Sequence, residues 1–335
     1  MRKSRRKCLG PTAIGNKFSI FDVETLLQLA LNAKSLRLCL NNKTLNILMS
    51  STPSRRSPAL FALLSSLAVL STGTTVKADE NFFGTIRGSE TLPQGHFDFY
   101  QSTVLRTGKD SGHYYGWDID SEVEYGITDK FQISAEIKQH IFDLHDVDGL
   151  DDGTFYKFGG VEFAAKYRFT SVFKDGYGLT FRPEFGYLRN DDVGGLHQKE
   201  VFIAPGFIFQ KNFLDDTLIF VANLGVELAW GKKPAEEYDK EISLQGGFGV
   251  TYRIAPNWFV GAEARIRSEY PDFKLINHEH TAVFAGPSIH YAAQKWWATL
   301  QWGYQVWGEG VDEPGGHTFA EETWDEIRLK IGFNF

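Results

Sequence analysis

Ser288 and His290 stand two residues apart, the spacing at which side chains of an extended chain share a face. A serine beside a histidine can serve as nucleophile and general base. That chemistry also needs a group to orient the imidazole, and no Asp or Asn is placed to do so. His278-Glu279-His280 repeats the spacing and would suit a transition metal on one side of a strand. No third ligand is evident, so a surface pair is the better reading. The run from His145 to Gly153 supplies Asp146, Asp148, Asp151 and Asp152, hard oxygen donors of the kind Ca²⁺ seeks. It lacks the spacing and closing Glu of an EF-hand loop, and a solvated acidic turn is the simpler account. There is no Gly-rich phosphate loop and no G-x-S-x-G elbow. The reading is of a protein that is not an enzyme and holds no cofactor other than that calcium candidate.

The elements that position these groups are strands. From Trp324 to Phe335 the chain reads WDEIRLKIGFNF. Ile327, Leu329, Ile331, Phe333 and Phe335 fall on one side, and Glu326, Arg328, Lys330 and Asn334 on the other. The same alternation recurs about twelve times. Expected spans are 95–106, 117–127, 131–141, 160–169, 178–188 and 200–210, then 218–230, 242–254, 258–267, 281–291, 296–307 and the C-terminal strand. Short turns follow the even-numbered strands and longer polar loops the odd ones, as in a bacterial transmembrane barrel. Tyr125 with Phe131, Tyr252 with Trp258 and Tyr291 with Trp296 flank short turns, and Phe209, Phe333 and Phe335 share their level. Trp230, Tyr187 and Tyr304 mark the other end. Two aromatic rings of this kind bound a membrane's apolar layer.

The mean hydropathy of −0.26 and the lack of any run near the ~20 apolar residues of a spanning helix exclude a helical membrane protein. Pro58 to Leu70 is too short to span. It follows Arg55 and Arg56 and precedes Val76-Lys77-Ala78, which reads as a secretory signal over residues 49–78, cleaved after Ala78. Residues 1–48 read as upstream sequence ahead of a start at Met49, the alternative being a start at Met1 and a signal with an extended n-region, and no fold is assigned to them. Residues 79–94 are expected as a short periplasmic segment and 95–335 as the barrel. Residues 1–78 hold 12 Lys and Arg but only Asp22 and Glu24, so the remainder carries 23 basic against 40 acidic residues, net −17. That excludes the basic footprint of a nucleic-acid binder. Both cysteines, Cys8 and Cys39, lie upstream, so the processed chain has no thiol chemistry.

The C-terminal strand ending on Phe and the hairpin Tyr125-Gly126-Ile127-Thr128-Asp129-Lys130-Phe131 carry a resemblance. From Asp79 to Phe335 the chain resembles Gram-negative outer-membrane β-barrels of the transporter type, including the phenol-degradation MetA-pathway group. The resemblance implies an all-β fold, a single antiparallel up-and-down barrel of about twelve strands in the outer membrane. It also implies passage of small solutes, contact with outer-membrane lipid and lipopolysaccharide, and recognition of Ile327–Phe335 by the barrel-assembly machinery. Ser288 and His290 would then lie far from the outer leaflet, against a lipid-modifying enzyme.

The polar faces of the strands would line the lumen. The second and third strands contribute Asp118, Asp120, Glu122, Glu124 and Glu136. The eighth, ninth and twelfth contribute Arg253, Arg265, Arg267, Arg328 and Lys330. An acidic wall facing a basic one would tune selectivity. The alternative is that these charges pair and plug the barrel, leaving a structural or adhesive protein that acts through its loops.

Overall fold

The computed structural model describes residues 81–232, 239–311 and 316–335. The signal and upstream segments expected within residues 1–80 lie outside that range. The described residues all belong to one compact unit.

Twelve strands account for nearly all of it. They are β1 Phe97–Thr107, β2 His113–Thr128, β3 Phe131–His145, β4 Gly153–Thr170, β5 Gly178–Asn190 and β6 His197–Phe213, followed by β7 Leu218–Lys232, β8 Asp239–Ala255, β9 Trp258–Pro271, β10 His280–Ala292, β11 Trp296–Gly310 and β12 Asp325–Asn334. Each pairs antiparallel with its neighbours in sequence, and β12 returns to β1 from Asp98↔Asn334 to Thr107↔Asp325. The sheet is therefore a closed barrel without free edges, the one form in which a sheet satisfies its backbone in hydrocarbon. A single helical turn, α1 Val172–Asp175, lies between β4 and β5.

Alternation decides which way each side chain faces. Outward positions carry large apolar side chains left uncovered, among them Phe163 at 56% and Leu224 at 70% exposure. All five apolar residues of the C-terminal segment, Ile327 to Phe335, are on this face. A continuous apolar exterior of this extent does not persist in water. With polar side chains inside, it makes the fold a transmembrane barrel. Rings flank the short-turn end as expected: Phe97 packs on Tyr125 at 4.4 Å, and Tyr291 on Trp258 and Trp296 at 4.8 and 5.1 Å.

Strands at the long-loop end run further than the alternation indicated. β2 begins at His113 rather than Trp117, β3 ends at His145 rather than Ile141, and β4 begins at Gly153 rather than Gly160. There the pattern inverts. Tyr114, Phe142 and Leu144 face inward and form a buried cluster with Val147. Above the apolar belt the barrel meets water on its outside, so its inside becomes the oily side. At Lys138/Gln139 the β3–β4 register shifts by one, and Gly160 takes φ +149 there. A Cβ at Gly160 would lie 2.1 Å from the carbonyl oxygen of Tyr187, so only glycine fits this bulge.

Candidate functional site

The interior is the one place where polar groups converge. All ten charged residues expected to line it face inward, but they do not form two opposed walls. Asp118 is taken by Arg106 (2.7 Å) and His140 (2.8 Å), and Lys138 bridges Glu136 (3.0 Å) and Glu162 (3.3 Å). On the other side Arg265 pairs with Glu326 (2.6 Å), and Arg267 with Glu269 (2.5 Å) and Glu227 (3.4 Å). Arg253 donates to the Asp216 carbonyl (2.9 Å), Arg328 to Ser102 (3.2 Å), and Lys330 lies over the Tyr100 ring. Glu200, Glu227, Glu241 and Glu269 stand at inward positions toward the long loops of β6 to β9. The wall read as basic is thus mixed, with an acidic crown. Desolvated charges need nearby partners, and they find them on the same or the neighbouring strand or, for Arg267 with Glu227 and Arg265 with Glu326, two and three strands away on the inner face of the barrel.

The larger departure is the segment Asn81–Gln94. Expected as a periplasmic lead-in, it lies inside the short-turn mouth of the barrel as a strap. Phe83, Ile86 and Leu92 are fully buried. Its backbone is held by side chains from one strand after another. Glu263 of β9 accepts from the N–H groups of Gly84 (2.7 Å), Thr85 (2.8 Å) and Ile86 (3.2 Å) and from Thr85 Oγ1 (2.5 Å). Asn223 of β7 clasps Arg87 at both N–H and C=O, and Gln210 of β6 accepts from Ser89. Thr180 of β5 and Lys166 of β4 donate to the next two carbonyls, and Gln132 of β3 accepts from Leu92. Glu90 pairs with Arg168 and accepts from Val172 N–H at the start of α1. Arg87 then reaches the opposite wall, bonding Tyr100 of β1 and pairing with Glu122 of β2 at 3.1 Å. Strap and guanidinium together cross the whole mouth.

The wall is shaped for this segment. Phe83 and Ile86 pack against inward Ile208, Ile219, Val221 and Phe259. A Cβ on Gly249 of β8 would come within 2.5 Å of the Phe83 ring. The signal was present in the sequence. Ile208, Ile219, Val221 and Phe259 are apolar at luminal positions, and such residues must be covered by something.

The long-loop mouth is narrowed as well. Residues 191–196 reach across to β1 and β2, where Arg106 donates to the Asp192 carbonyl and Tyr114 Oη to that of Val193 (2.6 Å). The β11–β12 loop folds inward. Thr318 N–H donates to Gln305 (2.8 Å), and the Ala320 carbonyl accepts from Lys109 Nζ (2.8 Å). Burial would raise the Glu322 carboxyl, but hydrogen bonding to His280 and the nearby Arg267 and Arg265 bring it down to about 2. Burial lowers Lys109 to about 8.

The remaining candidates serve structure. Asp152 accepts the Asp146 N–H (2.8 Å), and Asp148 N–H donates to Ser111. Among the described residues no three His, Cys, Asp or Glu side chains are grouped to hold a metal, the four loop aspartates included. His278 lies in the loop ahead of β10 and bonds Thr281, while His280 faces Glu269 and Glu322, so the pair shares no face. Ser288 and His290 are both buried and inward. His290 Nδ1 bonds Thr299, whose hydroxyl donates to the Asn81 carbonyl, which makes the histidine part of the strap's anchorage.

Between strap and loops Arg267 (36%), Glu184 (31%) and Arg265 (29%) stay partly exposed to the lumen. Two small polar pockets lie along this stretch. They are narrow crevices with room for at most about one water molecule each: the first touches Thr85, Glu263, Arg265 and Glu326. The second touches Glu122, Glu136, Glu162 and Glu184.

In fold the chain is similar to the COG4313 outer membrane channel from Pseudomonas putida F1, with a TM-score of 0.51 and 12% identity over 74% of this chain and 98% of that one. It also aligns with the NanC porin at a TM-score of 0.45 and 11% identity, over 70% of this chain and 98% of that one. No curated protein sequence matches it. Its sequence from residue 75 to residue 335 matches one family throughout, and the chain belongs to that family, the Family of unknown function (DUF6662).

Proposed function

We propose that the protein is a non-enzymatic outer-membrane channel of a Gram-negative bacterium that passes small solutes, closed at its short-turn mouth by the Asn81–Gln94 strap. The observation that carries this is a closed barrel whose outside is apolar and whose inside keeps ionised groups, Arg267 and Glu184 foremost, in reach of water. A barrel made only to be filled has no use for inward charged side chains left about a third exposed. The fold it shares with an outer-membrane channel supports the reading, as does the pattern resemblance to the phenol-degradation MetA-pathway group. The short-turn end would then face the periplasm, and Ile327–Phe335 would be the strand offered to the assembly machinery.

The test is conductance in planar bilayers of the folded chain from Asp79, with and without residues 81–94. The reading expects brief openings with the strap and steady conductance without it. It also expects Arg267→Gln to shift the strapless channel toward cations, because Glu227 and Glu269 lose their counter-ion. A strapless barrel that passes neither ions nor sugars in liposome swelling would refute it and leave a structural barrel that works through its loops.

A further inference from the structure

Strands β5 to β8 change character on their outer face one row beyond the long-loop aromatic ring. Register sets Tyr187, Val201 and Trp230 side by side, with Lys240 opposite Trp230. In the next row Lys199 stands directly opposite Lys232, and Arg189 lies two residues beyond Tyr187. All four basic side chains are exposed. A chain that is strongly acidic overall concentrates four cations on four adjacent strands, with Asp272 of the β9–β10 loop beside Lys240. The β2–β3 hairpin, at its long-loop end, instead carries His113, Asp143 and His145.

The neighbouring β9–β10 loop supplies a second feature. Phe273 lies edge-on to Trp230 at 5.3 Å, continuing the apolar belt outward. Beyond it Leu275 and Ile276 are bare, Ile276 at 90% exposure. Tryptophan marks the level where acyl chains give way to headgroups. Apolar side chains continuous with that level insert among lipids, and lysines just above it meet anionic headgroups. The row from Arg189 to Lys232 spans three strands, roughly 10 Å at ~4.8 Å each. That is wide for a single phosphate and suits a headgroup carrying two.

We propose that this patch binds the phosphorylated headgroup of an outer-leaflet glycolipid, lipopolysaccharide in chemical class. Arg189, Lys199, Lys232 and Lys240 take the phosphates, and Leu275 and Ile276 rest at the top of the acyl layer. The assignment rests on the outer-membrane reading, with the long-loop end outward, and is independent of whether the lumen conducts.

The experiment titrates the folded chain from Asp79, in uncharged detergent, with bis-phosphorylated lipid A, its fully dephosphorylated form, and phosphatidylglycerol at equal charge. Binding should favour bis-phosphorylated lipid A over both. The Lys199→Gln, Lys232→Gln, Lys240→Gln triple variant should lose on the order of 100-fold in affinity for it, since each basic residue at an anionic surface is worth about fivefold. The triple variant's unheated band in electrophoresis should still run as a folded barrel, and its conductance should be unchanged. Equal binding of the dephosphorylated lipid or of phosphatidylglycerol, or undiminished binding by the folded triple variant, would overturn the proposal.

Discussion

Glu263 is the latch on which strap closure most depends, and its replacement by glutamine is the sharpest test of gating. One carboxylate oxygen accepts from Gly84 N–H. The other accepts from Thr85 N–H, Thr85 Oγ1 and Ile86 N–H. The amide has the same shape but keeps one acceptor oxygen, and it turns an NH₂ toward a backbone that offers only donors. Hydrogen bonds to a charged acceptor contribute about 1.5–3 kcal/mol each, and neutral ones about half of that. Weakening the retained bonds and losing those of the other oxygen costs the docked strap about 3 kcal/mol, less than the sum of the single bonds because four donors share one carboxylate and their contributions do not add in full. At 1.4 kcal/mol per tenfold, the ratio of released to docked strap rises about 100-fold. Single-channel recording reads this directly as the fraction of time spent open. Glu263→Gln should open far more often than the parent at an unchanged unit conductance, because the pore is the same one. If it opens no more often while the strapless barrel conducts steadily, Glu263 is no latch and the geometry has been misread.

Gly249→Leu places a side chain where the Phe83 ring lies, within 2.5 Å of its first added carbon. It should hold the strap out and give steady conductance with the barrel still folded by heat-modifiable electrophoresis. The β11–β12 loop should loosen in acid. The Glu322 carboxyl is held down to about 2 in the folded protein against an ordinary 4.5, so its contribution is present above pH 4.5 and lost as pH falls toward 2. It amounts to about 3 kcal/mol. Protease nicking of this loop should rise over that range in the parent, and Glu322→Gln should be nicked at every pH. Lys109 acts in the same direction, in a higher pH window. Burial lowers it to about 8 from 10.5, so docking of its loop on the Ala320 carbonyl strengthens as pH rises through that interval. Protection of the amides around Gly108, taken relative to their intrinsic exchange rate at each pH, should rise accordingly.

The strands were legible because lipid outside and polar groups inside impose a strict two-residue period, as in Ile327 to Phe335. Where one side of that contrast disappears, so does the signal. Phe142 and Leu144 face inward above the lipid level, opposite to Ile133 and Ile137 below it only in the polarity rule, since all four keep the strand's own alternation. A reader applying one rule to the whole strand stops at Ile141, as the spans above did. The luminal charges were legible as inward residues, but their pairing was not. Arg265 meets Glu326 across 61 residues of sequence, and only the closed register brings them together. The strap was least legible. Residues 81–94 have no period because no sheet holds them, and their partners are mostly single side chains scattered from Tyr100 to Thr299.

That same scatter predicts how the strap behaves. The amides of Gly84, Arg87, Ser89 and Leu92 are bonded to side chains of β9, β7, β6 and β3, never to a strand backbone. Releasing the strap therefore breaks no rung of the barrel ladder, whereas exposing the Val104 amide would require β1 to part from a neighbour. A segment so attached should open as a unit below the free energy of global unfolding. Hydrogen exchange in micelles should then show the four strap amides with a common protection well short of that of the β1 and β2 amides. Glu263→Gln should lower all four together, by about the 100-fold worked out above, and leave the ladder untouched. Strap amides as slow as the ladder would mean that strap and barrel open only together, and a strap that cannot leave its barrel cannot be its gate.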